Sequence, residues 1–407
     1  MYVIIKLGDS MKLKKILFFI FIFIILLVNI IFFYNYCRIK NAKIEVILID
    51  NLTLEFNDKK KVSDFIKSIN GKIIDDYIID STTLGKKEIN FDFINNDNIK
   101  VQYSFNINIV DTVSPVVWLG NTYSIQKGND VDLAEKILCG DNYDSNPNCY
   151  VEGQYDFNTI GSYPLVFNAI DNSGNKTTKE FVLKVYEPTS SNSQNKEQTY
   201  TYFEDVIATY KNDRTKIGLD VSSWQGDIDF EKIKNAGVEF IIIRVGGTRG
   251  TNGEYFLDSK FKRNIEQANK YDIDVGIYFY SYSNSIEGAI KDARWVIKQI
   301  KDYKVALPIA FDWEEWTYFN EYNLSFFGLT SMANAFLDTI KNAGYDGMLY
   351  SSKSYLENIW LDTNYDIWLA HYVSQTSYNG KFKFWQICNN GRIDGINGNV
   401  DIDIMYK

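Results

Sequence analysis

From Lys216 to the C-terminus, short apolar runs of strand length alternate with amphipathic helical patterns, and no other feature constrains the fold as tightly. Strand-like runs at 217–222, 238–245, 275–282, 306–314, 347–351 and 367–372 are separated by helical patterns near 230–236, 259–270, 286–303 and 326–342. Strands alternating with helices run parallel, with helices covering the sheet, which is either open or closed into a barrel. Lys234-Asn-Ala-Gly-Val238 and Lys341-Asn-Ala-Gly-Tyr345 each place a glycine just past a helix end. That is where a left-handed residue terminates a helix.

Side chains alternate faces along a strand. In the fourth run Leu307, Ile309, Phe311 and Trp313 share one face, and Pro308, Ala310, Asp312 and Glu314 share the other. The first run sets Ile217, Leu219 and Val221 against Gly218, Asp220 and Ser222. The third sets Val275, Ile277 and Phe279 against Gly276, Tyr278, Tyr280 and Tyr282. In each, one face is apolar and the other turns polar towards the C-terminal end, where barrel enzymes hold their sites. Asp312 and Glu314 are therefore expected in a tyrosine-rich cup beside Asp220. Glu315 has the opposite parity and is expected on the surface or in a loop.

The chemistry open to this cup is narrow. The 407-residue chain has a single histidine, His371, and its four cysteines, Cys37, Cys139, Cys149 and Cys388, form no Cys-x-x-Cys pair. No metal site and no cofactor is expected. A net charge of −9 argues against a nucleic-acid partner, since phosphate binding needs a basic surface. Paired carboxylates without histidine, metal ligands or a phosphate loop point to glycosidic bond cleavage. One acid must be protonated to serve the leaving oxygen, and clustering carboxylates raises the pKa of at least one. Residues i and i+2 on a strand lie about 6.6 Å apart, between the retaining and inverting separations, so spacing leaves the stereochemistry open.

The N-terminal half reads differently. Residues 16–34 are almost entirely Ile, Leu, Phe and Val, with Asn29 the one polar interruption. That length spans a bilayer, and no small-x-small cleavage site follows. We expect a short cytoplasmic tail at 1–15 and an uncleaved transmembrane anchor at 16–36. Basic residues flank the run almost evenly, so orientation is not set by charge. Residues 41–112 alternate as strands, with a short helical pattern near 62–67, and form a β-rich domain of unassigned role. Residues 113–186 show short strands split by turn residues, expected of a small β-sandwich. Within it, Cys139 and Cys149 are spaced for a local disulfide if they lie outside the cytoplasm, with two free thiols the alternative. Residues 187–200 contain almost nothing apolar and are expected to be a flexible linker.

Several motifs carry a family resemblance. Val110-Asp-Thr-Val-Ser-Pro-Val116 and Ala169-Ile-Asp-Asn-Ser-Gly-Asn175 resemble bacterial immunoglobulin-like domains. Residues 214–407 resemble glycoside hydrolase family 25, lysozymes that cleave the β-1,4 bond between N-acetylmuramic acid and N-acetylglucosamine in peptidoglycan. The match runs through Gly218-Leu-Asp-Val-Ser-Ser-Trp-Gln-Gly226, Phe240-Ile-Ile-Ile-Arg-Val245, Phe311-Asp-Trp-Glu314, Trp368-Leu-Ala-His-Tyr372, Trp385-Gln386 and Gly398-Asn-Val-Asp401. The resemblance implies an irregular, TIM-like β/α barrel. It implies Glu314 as general acid, Asp312 as the partner that orients the substrate's N-acetyl group, and Asp220 as a further catalytic acid. Asp401, Tyr278, Tyr280, Arg244, Trp385, Tyr350 and Tyr372 become substrate-binding candidates. Where many members have Tyr-His-Phe, this chain has Tyr278-Phe-Tyr280; Phe279 has the outward parity, so little catalytic effect is expected.

These readings imply peptidoglycan glycan strands as substrate, and a single-pass protein of the cell membrane whose C-terminal domains are extracellular. Protein partners in a wall-spanning assembly are left open. The rival of a different class is a non-catalytic glycan-binding module on the same barrel. It predicts loss of one of the acids, yet Asp220, Asp312, Glu314 and Asp401 are all present. His371 pairs with no serine or cysteine in any motif, which disfavours a histidine-dependent hydrolase.

Overall fold

The computed structural model describes residues 4–188, 199–251 and 253–407, with side chains from Lys15 onward. Most of the linker expected at 187–200, and the first three residues of the expected tail, fall outside the described residues. The chain divides into two compact units, Met1–Thr112 and Val113–Lys407.

In the first unit a helix spans Ile4–Lys40. Its stretch Lys15–Lys40 contains an 18-residue window with a mean hydropathy of 3.4 and is long and apolar enough to cross a membrane. Asn29 returns its side-chain amide to the carbonyl of Ile25 at 2.8 Å, so the one polar group of the run is satisfied within the helix. Beyond it lies a four-stranded sheet in the order Thr53–Glu55, Lys100–Val110, Gly85–Asn95, Gly71–Ile73. The two long strands pair antiparallel, Ile89 opposite Phe105. Their alternation buries Ile89, Phe91, Phe93, Phe105 and Ile107 on one face. The helical pattern near 62–67 is one 3₁₀ turn, Val62–Phe65.

The second unit opens with a small β layer. Strands Asn148–Glu152, Gly161–Ile170, Lys176–Tyr186 and Thr122–Gln126 form one sheet, faced by the short pair Val116–Val117 and Cys139–Gly140. Leu165, Phe167, Ala169, Phe181, Leu183 and Val185 fill its core. Cys139 and Cys149 are joined by a disulfide.

The rest is built on a ten-stranded sheet; the short strands Thr201–Tyr202 and Tyr255–Leu257 pair alongside, and the other eight close into a ring. The ring's strands are β1 (Thr215–Val221), β2 (Phe240–Thr248), β3 (Asp274–Tyr280), β4 (Ile309–Asp312), β5 (Gly347–Ser352), β6 (Asp366–Ala370), β7 (Phe384–Arg392) and β8 (Val400–Tyr406). β1 to β7 pair in sequence order and in parallel. β8 runs antiparallel to both β7 and β1 and closes the ring. Helices α1 (Phe230–Asn235), α2 (Phe261–Lys270), α3 (Ile286–Ile300), α4 (Phe326–Asn342) and α5 (Lys353–Asn358) connect the first six strands. Ser285 and Ser325 accept backbone N–H groups at the starts of α3 and α4, satisfying donors that a helix leaves open there. Gly237 and Gly344, just past α1 and α4, take φ of +103° and +91°.

Two cores result from the alternation of faces. Ile217, Leu219, Ile241, Ile243, Val275, Ile277, Phe279, Phe311 and Trp313 pack outward against the helices. Phe240, Ile242, Ala310, Met348, Trp368, Phe384 and Met405 pack inside the ring. Phe240 fills the floor so fully that a β-carbon on Gly218 would lie 2.5 Å from its carbonyl oxygen. The apolar floor leaves the C-terminal ends of the parallel strands as the open, polar end.

Candidate active site

Register builds the site. Asp220 on β1 lies opposite Asp401 on β8. Tyr280 on β3 is level with Asp312 on β4, and Asp312 with Tyr350 on β5. Tyr278 and Arg244 are level on β3 and β2. All point to the inside of the ring at its polar end, as the alternation of faces requires.

The acids form a graded set. Asp312 is buried, and one of its oxygens, Oδ1, has no hydrogen-bond partner among the described residues. Burial, and then the charges of Glu314 and Asp220, hold its carboxyl well above the usual range, while Arg244 opposes the rise. β4 ends at Asp312, and Glu314 stands two residues beyond, exposed at the mouth. The protein wall crowding its carboxyl, and then the charge of Glu315, push Glu314 up as well. Asp220 is buried and accepts a 2.8 Å hydrogen bond from Gln386 Nε2. Burial and then Asp403 raise it strongly. Burial and then Asp220 push Asp401 up to about 9.

Polar side chains fix this set. Gln386 Oε1 accepts from Tyr350 Oη at 3.0 Å and Tyr372 Oη at 2.9 Å. One glutamine thus joins two tyrosines to Asp220. Arg244 donates through Nε at 2.8 Å and Nη2 at 2.6 Å to Asp258 Oδ2, and through Nη2 at 3.0 Å to Ser223 Oγ. Its guanidinium is thus committed to neighbours at the rim. Trp224, next to Ser223, is 85% exposed. Tyr278 is held neutral by burial and then by the charge of Asp220.

Two expectations need correction. Trp385 does not face the cup: it lies in the outer core, donates Nε1 to the carbonyl of His371 at 2.8 Å, and meets the ring of Tyr210 edge-on. On β7 it is Phe384 and Gln386 that point inward. Glu315 lies in a loop, past the end of β4, but not on the surface. It is only 7% exposed and accepts a hydrogen bond from Tyr280 Oη at 3.1 Å. Strand parity lapses where β4 ends, and the following 3₁₀ segment Trp316–Tyr322 turns Glu315 back towards β3. Trp313, by contrast, keeps its outward place and donates Nε1 to the carbonyl of Ser283 at 2.9 Å.

Asp403 is a further acid that motif reading missed. It is fully buried and accepts from Trp368 Nε1 at 2.8 Å through Oδ1, while its Oδ2 has no hydrogen-bond partner among the described residues. Burial pushes Asp403 up to about 8. Its signal was the alternation Asp401-Ile402-Asp403, which puts both acids on one face. His371 lies apart, its Nδ1 2.9 Å from Thr376 Oγ1. Cys388 is buried in the outer core, where burial holds its thiol up to about 11.

Residues 219–396 match the family model for glycosyl hydrolases family 25. The autolytic lysozyme of Clostridium acetobutylicum is 26% identical over 200 residues, 46% of this chain and 54% of that protein. Lysozyme M1 of Streptomyces globisporus is 29% identical over 206 residues, 45% of this chain and 65% of its own. An uncharacterised Escherichia coli K12 protein, YegX, is 27% identical over 198 residues, 46% of this chain and 68% of its own. A family 25 glycosyl hydrolase structure from Bacillus anthracis covers 49% of this chain and 92% of its own, at 24% identity and a TM-score of 0.42.

Proposed function

We propose that residues 214–407 are a lysozyme that hydrolyses the β-1,4 bond between N-acetylmuramic acid and N-acetylglucosamine. The N-terminal helix would hold it in the cell membrane with the remaining domains outside. On this reading the closed sheet is the irregular β/α barrel of the family, and residues 113–186 are an immunoglobulin-like sandwich. The observation that carries the activity is the placement of Asp312 and Glu314 at the open end of β4, with Asp220 and Asp401 on the adjoining β1 and β8.

The roles follow from depth. Asp312 is buried and Glu314 is exposed, so burial favours a neutral Asp312 more strongly than a neutral Glu314. The unpartnered Oδ1 of Asp312 is free to accept the N–H of the substrate's acetamido group. That contact favours the ionised carboxylate and moves the pair's proton to Glu314. Glu314 then donates it to the glycosidic oxygen as the bond to the anomeric carbon breaks. The acetamido oxygen bonds to that carbon, and ionised Asp312 stabilises the positive ring so formed. Water, deprotonated by Glu314, opens the ring and restores the acid.

The whole chain in detergent should release fragments from purified peptidoglycan whose new reducing ends are N-acetylmuramic acid. Glu314→Gln should lower the rate by about 10²–10⁴-fold, the usual range for general acid catalysis, with an unchanged melting curve. New ends at N-acetylglucosamine, or binding with no new ends at all, would refute the assignment. The second outcome is the one expected of a non-catalytic glycan-binding module.

A further inference from the structure

The segment carrying Glu314 and Glu315 is gripped at both ends, and one of the grips is not part of the barrel. At the barrel end, Trp313 is buried and bonded to Ser283. At the far end, in the 3₁₀ segment, the Asn320 side chain reaches into the β layer of residues 113–186. Its Nδ2 donates to the carbonyls of Ala134 at 3.2 Å, Glu135 at 3.1 Å and Ile137 at 3.0 Å. Its Oδ1 accepts from the backbone N–H of Cys139 at 3.1 Å. Those carbonyls belong to and follow the one-turn helix Leu133–Lys136, whose last acceptors have no partners of their own. One amide therefore both caps that turn and holds the strand bearing the disulfide.

Further contacts of three kinds run across the same seam. Phe326 and Phe327, at the start of α4, donate backbone N–H groups to the carbonyls of Asp141 at 2.8 Å and Asn142 at 3.1 Å. Gly140 leaves room for two rings: a β-carbon there would lie 2.6 Å from Phe326 and 2.7 Å from Phe319. Trp118 stacks on Tyr355 at 4.9 Å, and Tyr355 stacks on Trp316 at 3.9 Å. That stack ends one residue from Glu315, and the charge of Glu314 reaches Tyr355. Asn320, Phe319 and Trp316 lie in the segment that follows the acids, and the remaining contacts hold the starts of α4 and α5 on either side of it.

We propose that residues 113–186 are a brace for the catalytic loop, with Asn320 and Trp118 as positioning residues that hold Glu314 at its working place. This rests on the lysozyme reading above. Neither residue is assigned a contact with substrate. Asn320 acts through the 3₁₀ segment, and Trp118 through Tyr355 and Trp316. The Cys139–Cys149 disulfide keeps the strand that Asn320 grips in place. A domain that resembles a spacer would then be required for full turnover.

The test compares Asn320→Ala and Trp118→Ala with the wild-type chain on soluble glycan fragments, across pH. Misplacing a catalytic group by about 1 Å costs up to about 10²-fold, so each variant should lose about 10- to 100-fold in kcat with KM within about twofold. The alkaline limb of the pH profile should move to lower pH, because a loosened Glu314 is better hydrated and ionises more easily. Trp118→Ala decides the matter if Asn320→Ala does not fold. Unchanged kcat and pH profile in a folded variant would overturn the proposal. So would a loss confined to KM, or a loss that vanishes on cooling while the wild-type pH profile is kept. An inactive wild-type chain would instead overturn the lysozyme reading, so the two failures are distinguishable.

Discussion

Replacing Asp403 with asparagine should make the second unit more stable at neutral pH and flatten its pH dependence. Asp403 is fully buried and its carboxyl is pushed from 3.8 to about 8. A carboxyl with a raised folded pKa binds its proton more tightly in the folded state. It therefore stabilises the fold below the unfolded pKa, and that stability is lost as pH rises from about 4 towards 8. At about 1.4 kcal/mol per pKa unit, the loss between pH 4 and pH 7 is on the order of 4 kcal/mol. Beyond burial, the charge of Asp403 also raises Asp220, so the two titrate as a pair. An asparagine at 403 keeps an acceptor for Trp368 and has no proton to lose. All eight tryptophans lie beyond residue 112, so tryptophan fluorescence reports on the second unit alone. Urea unfolding at pH 4 should give wild type and Asp403→Asn within about 1 kcal/mol of each other, the scale of one hydrogen bond. At pH 8 the variant should be more stable by a few kcal/mol. Equal pH slopes for the two proteins would refute the argument that Asp403 sets this pH dependence.

Two shorter predictions follow from the same site. Glu315→Gln keeps an acceptor for Tyr280 but removes the charge that raises Glu314, so activity should persist within about tenfold while the alkaline limb moves to lower pH; an unmoved limb would show that Glu315 does not act on Glu314. Protease added to protoplasts should remove the second unit if the Lys15–Lys40 stretch spans the membrane with the C-terminus outside, and full protection would exclude that topology.

How far the site was legible depended on how far each strand stays regular. Asp220, Tyr278 and Asp312 sit inside bonded strands, where alternation alone assigns the face. Glu314 and Glu315 lie past the last residue of β4, and there the 3₁₀ segment decides. That is why the residue expected outside is the buried one. Asn320 carried no signal at all, because its partners are backbone carbonyls about 180 residues away in the chain. The grip of the β layer on the segment that follows Glu314 and Glu315 is a long-range packing result that local pattern does not encode.

The misplacement of Trp385 has a different origin. Along β7 the alternation reads Phe384 and Gln386 on one face, Trp385 and Ile387 on the other. The rule that found Asp220 and Asp312, an inward face that becomes polar towards the C-terminal end, selects Gln386 here without any structure. Family resemblance favoured the tryptophan instead, since an aromatic beside a sugar site is an attractive reading. Packing decided otherwise: the inside of the ring at that level is occupied by Trp368, Phe384 and Tyr350, and Asp220 there requires a donor. A buried carboxyl without one would cost about 1–3 kcal/mol or more. Gln386 supplies that donor and accepts from two tyrosines at once. A tryptophan offers one donor and no acceptor, so it could not serve Tyr350 and Tyr372 from that position.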